Sequence, residues 1–162
     1  MKKTLLLKKG ATILEVVIAA TLISLAVIAA LSLVSSTQKE TTYARDLNIA
    51  TKYNYEAIDR FRQIRTAMGW SSIVNELTLD SISNETVYCL SFLPTSEAEF
   101  SALTYGACSE SNFINSTRLI RQVTFDLVAA EIASGEVNGI ITTIWQGSKE
   151  HSVNTEFTLT NH

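Results

Sequence analysis

The chain has 162 residues, 46% hydrophobic and 18% charged, which is ordinary for a folded protein and enough for one modest domain with a real core. Its formal net charge of -3 argues against a general nucleic-acid binder. Cys89 and Cys108 lie too far apart for a CxxC redox or zinc pattern, and His151 and His162 stand at no metal-ligand spacing.

The basic residues are unevenly placed. Lys2, Lys3, Lys8 and Lys9 all precede Gly10, and beyond them nine basic residues face sixteen acidic ones, a net of -7. Residues 11–34 then read ATILEVVIAATLISLAVIAALSLV, with Glu15 the one charge and no Gly or Pro to break a helix. As a helix this run extends about 36 Å, enough to cross a bilayer. Lysines flank its N-terminal side and Ser35, Ser36 and Thr37 follow it, so the positive-inside rule places the N-terminus in the cytoplasm and residues 35–162 outside. A secretory signal has a shorter apolar core with a small-residue cut site behind it. Here the polar boundary in front, Lys8-Lys9-Gly10, is where a cut makes sense; an uncut signal anchor is the competing reading. Glu15 bears on the choice. A carboxylate near the middle of a membrane costs about 2.5–3.5 kcal/mol. A cut after Gly10 would leave a free amine on Ala11, one helical turn before Glu15 and on the same face. The plainer alternative is a first-turn glutamate held by water among the headgroups.

The stretch KKGATILEVVIAATLISLAVIAAL resembles the class III leader and N-terminal helix of type IV prepilins and pseudopilins: a short basic leader, a glycine, a cut, then an apolar helix with a glutamate at its fifth residue. Lys8, Lys9, Gly10 and Glu15 match that pattern. The resemblance implies cleavage after Gly10 by a membrane prepilin peptidase, N-methylation of Ala11, and a role for Glu15 in neutralising the N-terminal amine of an adjacent subunit during assembly. It implies as partners other pilin or pseudopilin subunits, the inner-membrane assembly machinery and, before assembly, membrane lipid. Two departures stand out: Ala11 sits where phenylalanine is commonest, and Ser32 sits where many major pilins carry a kinking proline. The second leans toward a minor pilin or pseudopilin.

Beyond the apolar run, positions 43, 47, 50, 54, 57, 61, 64 and 68 alternate spacings of four and three, and all but Asn54 are apolar or aromatic. That is one face of a helix, with Gly69 a natural stop. One long helix over 11–68 is predicted, its first half apolar all round and its second half in need of a partner. Residues 118–127, 137–146 and 151–160 read as strands. In the last, Val153, Phe157 and Leu159 share a face with His151 and Thr155; in the first, Leu119, Val123, Phe125 and Leu127 oppose Gln122, Thr124 and Asp126. Turns are predicted at Ser134-Gly135-Glu136 and at Gly147-Ser148-Lys149-Glu150. The fold class is therefore α+β, pilin-like: a long N-terminal helix on an antiparallel sheet of three strands, with Thr86–Leu93 as a possible fourth. The ending IITTIWQGSKEHSVNTEFTLTN is similar, more loosely, to the closing hairpin of minor pilins of the pilus-modification type. Trp145 is expected in the core. Short helices are read at Ser71–Leu77 and at Ser96–Leu103, after Pro94.

The resulting organisation is a basic leader (1–10), a membrane and assembly helix (11–34) and an exported domain (35–162). Export favours a Cys89–Cys108 disulfide over two unrelated buried thiols. No catalytic, metal or cofactor-binding constellation is read: there is no phosphate loop, no GxSxG, and Asp80 and Asp126 stand alone. Asn84-Glu85-Thr86 and Asn115-Ser116-Thr117 fit the glycosylation pattern, which would carry little weight in the bacterial pilin that the resemblance implies. Arg60, Arg62, Arg65, Arg118 and Arg121 would form the one basic patch able to touch DNA, against the acidic balance of the remainder. The expected protein is a structural filament subunit, first in the inner membrane and then in a pilus or pseudopilus. Its rivals are an uncut, signal-anchored extracytoplasmic adhesin or sensor domain, and a small secreted enzyme lacking any visible catalytic set.

Overall fold

The computed structural model describes residues 9–115, 117–147 and 149–161. The leader up to Lys8, Ser116 of the second glycosylation pattern, Ser148 of the predicted hairpin turn and His162 lie outside the described residues. The chain divides between Ala44 and Arg45 into two units.

Helix α1 spans Lys9–Met68. In the first unit it is uncovered: residues from Ile13 to Val34 are exposed along the whole run. In the second unit the same helix becomes amphipathic as the sequence predicts, burying Ala50, Asn54, Ala57, Ile58, Phe61 and Ile64. It ends at Gly69, whose φ of +81° lies in the left-handed region that favours glycine.

The rest of the second unit is α2 (Trp70–Leu79), β1 (Glu85–Cys89), α3 (Glu97–Ser101), β2 (Thr104–Tyr105), β3 (Leu119–Asp126), α4 (Ala129–Ser134), β4 (Glu136–Gln146) and β5 (Glu150–Thr160). The strands form an antiparallel sheet in the order β2-β1-β3-β4-β5. The α+β architecture with a long helix on an antiparallel sheet is as predicted, but the sheet has five strands and not three or four. The extra strand, β2, is two residues long, too short to show any period in the sequence. The strand expected over Thr86–Leu93 stops at Cys89, because beyond Leu90 the chain leaves the ladder. The connection at Ser134-Gly135-Glu136 carries one turn more than expected, α4, closed by Gly135 in the left-handed conformation.

Period-two alternation sets the faces. Val123, Phe125, Val137, Ile141, Trp145, Phe157 and Leu159 turn inward and are buried, Trp145 among them as expected. Phe61 of α1 is the centre of the core, with the rings of Phe125, Phe157 and Phe100 at 5.3, 6.1 and 6.2 Å. Asn138-Gly139 would pass for a hairpin turn by composition, yet it lies inside β4. A Cβ on Gly139 would stand 2.7 Å from the Phe157 ring, so glycine there lets that ring close over the strand.

Candidate functional site

The first candidate is the exposed half of α1. Ile13, Leu14, Val16, Leu22, Ile23, Leu25, Ile28, Leu31 and Leu33 each remain more than 60% exposed, far more contiguous apolar surface than a protein in water leaves uncovered. This is a helix long and apolar enough to cross a membrane. Its hydroxyls do not spoil that surface. Thr21 Oγ1 donates to the Ile18 carbonyl at 2.8 Å, Ser24 Oγ to Ala20 at 2.8 Å and Ser32 Oγ to Ala29 at 2.9 Å, so each polar hydrogen is spent inside the helix. Glu15 is the single charged side chain between Ile13 and Val34, and it too is exposed. Gly10 and Ala11 lie in the first turn of α1.

The second candidate is the polar seam that fastens α1 to the sheet. Asn54 is fully buried at the middle of the helix–sheet contact. Its Nδ2 donates to the carbonyls of Ile141 (3.2 Å) and Val153 (3.1 Å) and to Thr155 Oγ1 (3.0 Å), while its Oδ1 accepts from Thr143 Oγ1 at 2.6 Å. The one polar residue on the predicted apolar face is thus a clamp with both ends of its amide used.

Arg121 lies beside it. Its charge groups it with a basic patch in the sequence, but it is 2% exposed, on the inward face of β3. Nη1 donates to the Tyr53 carbonyl at 2.9 Å, the guanidinium sits 5.8 Å from the Tyr53 ring centre, and Nε is buried without a partner. Burial pulls its pKa down to about 10, opposed by the Glu56 charge. Strand parity held the signal: Arg121 alternates in step with Leu119, Val123 and Phe125. Of the others, Arg62 lies 3.7 Å from Asp59 and Arg60 donates to Gln63 at 3.0 Å; Arg121, being buried, is not part of a surface patch with them.

Cys89 and Cys108 form the disulfide the export argument favours, tying the end of β1 to the loop after β2. The Cys108 sulfur touches the Arg121 carbonyl at 3.0 Å; bonded to Cys89, it carries no hydrogen, so this is a sulfur–oxygen contact. Leu90 N–H donates to the same carbonyl at 2.8 Å. Asp80 accepts from the Tyr88 hydroxyl at 3.0 Å, and burial followed by that carboxylate raises the phenol far above its ordinary value. His151 stacks on Trp145. Thr86, of the first glycosylation pattern, is buried with Oγ1 donating to Leu77. Among the described residues no group of three or more His, Cys, Asp or Glu could hold a metal ion. No protein-family model, no curated protein and no solved structure matches the chain.

Proposed function

We propose that this chain is a structural subunit of a type IV pilus or related filament, in the class of minor pilins or pseudopilins. The observation that carries the reading is the exposed apolar run from Ile13 to Val34, interrupted by one carboxylate at Glu15 and continuous through α1 with a disulfide-tied α+β domain. Such a surface is at rest only in lipid or against other apolar helices. A filament core of bundled helices supplies the second environment, and the membrane supplies the first while the subunit waits. Prepilin peptidase would cut after Gly10 and leave an N-methylated Ala11. Glu15, exposed one turn further on, would pair with the amine of a neighbouring subunit, and the pairing would offset the cost of holding a carboxylate in an apolar bundle. The partners are the peptidase, other subunits, the inner-membrane assembly machinery and lipid. The topology is a cytoplasmic N-terminus and an exported domain.

The test is the intact mass and N-terminal sequence of protein extracted from membranes. The expected product begins with methylated Ala11. A retained Met1 in cells with an active prepilin peptidase would overturn the reading in favour of an uncut, membrane-anchored binding domain. Glu15→Ala should still be processed but enter filaments poorly, measured as its share of sheared filament against the membrane pool; wild-type incorporation would remove the role given to the carboxylate.

A further inference from the structure

The two edges of the sheet differ. At one, β2 is two residues long and lies against the loop held by the disulfide. At the other, β5 is eleven residues long, matched to β4 from Glu150 to Thr160 with no bulge and no proline. Natural sheets blunt long edges with bulges, prolines or charged side chains; within its span β5 has no bulge, proline or lysine, and Glu156 is its one charge between the ends.

The hydrogen-bond phase shows which backbone groups are on offer. Asn161 N–H donates to the Gly135 carbonyl at 2.8 Å and Gly147 N–H to Lys149 at 2.9 Å. With the β4–β5 register, this assigns the odd-numbered residues of β5 to β4. The N–H and C=O of Ser152, Asn154, Glu156 and Thr158 therefore point away from the sheet. Another extended backbone can satisfy them in place of water.

We propose that the occupant is β5 of a second copy, antiparallel, with the two-fold axis at Thr155. In that register Val153 faces Phe157 on the helix side. On the outer side Ser152 faces Thr158, and Glu156 faces Asn154, whose amide can donate to it. Centring on Glu156 instead would set two carboxylates against each other, and centring on Asn154 would lose the Val153–Phe157 pair. Asn54 bonds to Ile141 and Thr143 of β4 and to Val153 and Thr155 of β5, so beside the axis α1 lies over the gap between these two strands. Strand spacing then sets the two helices about 10 Å apart there, at packing distance on one face of the joined sheet. The axis reverses the strand direction and, with it, α1, so the chain enters the two domains from opposite ends. The pairing thus joins two domains whose segments of α1 run in opposite directions. It rests on the domain alone and stands or falls separately from the filament reading.

The test uses the full chain in detergent micelles. Because both native cysteines are engaged, Asn154→Cys and Glu156→Cys each carry one free thiol. Mild oxidation of a mixture should give a cross-linked heterodimer, with only background from either variant alone. Equal cross-linking of a single variant with itself would overturn the register. Asn154→Pro removes an N–H that β4 does not use, so the thermal transition should survive while the dimer is lost in sedimentation. A dimer that persists in Asn154→Pro is held through another surface, such as the apolar helix, and overturns the proposal; so does a wild-type chain that stays monomeric as its concentration rises.

Discussion

Two stretches of one helix, 13–34 and 45–68, solve opposite problems with the same backbone. The first exposes apolar side chains on every side and spends its hydroxyls on its own carbonyls. The second buries one stripe and spends its one buried polar side chain, Asn54, on a sheet 87 to 101 residues away. Helical hydrogen bonding is alike in both. What differs is where the apolar surface goes, which decides whether a substitution is felt by the domain or by the environment around it.

That contrast can be broken at its strongest point first. Phe61→Ala removes a fully buried ring that meets three others and should cost about 3–5 kcal/mol in denaturant unfolding of the domain. Asn54→Ala comes next. It removes a second hydrogen bond from the Ile141 and Val153 carbonyls, which keep their ladder donors, and leaves the Thr143 hydroxyl without its acceptor, for a loss of about 1–3 kcal/mol in the same measurement. Tyr88→Phe should cost about 1 kcal/mol at neutral pH by removing the bond to Asp80. It should also change the alkaline limb. The folded phenol is held protonated well above its ordinary pKa of 10.0, so its contribution is present below that pH and is lost as the unfolded chain ionises above it. A thermal melt series from pH 8 to 11 should fall less steeply in the variant; an unchanged slope would mean that Tyr88 does not set it. The smallest effect belongs to the exposed half. Leu25→Ala should leave domain stability within about 0.5 kcal/mol. Its loss should appear in partition into liposomes instead, and a large drop in unfolding free energy would show that residue 25 packs on the domain.

The exposed half was legible in the sequence because its meaning is carried by adjacent residues: a run without Gly or Pro, one glutamate, lysines before it. The inward stripe of α1 was nearly as legible, Ile58 being the buried residue that falls outside the alternation of four and three. Asn54 was visible only as an exception to the stripe, since its four partners lie on two distant strands. The charge of Arg121 points to the surface, although its alternation with Val123 and Phe125 points inward.

By itself, then, the sequence determined the elements that depend on local period and composition: the apolar run, the long helix with its stop at Gly69, the three main strands and the inward place of Trp145. Tertiary structure alone decided that a guanidinium could be buried against the Tyr53 carbonyl, that two residues at Thr104–Tyr105 make a strand, and that β5 is left with an open edge. Each of these depends on which distant backbone supplies a partner. A hydrogen bond across the sheet leaves no trace in the spacing of the residues that make it.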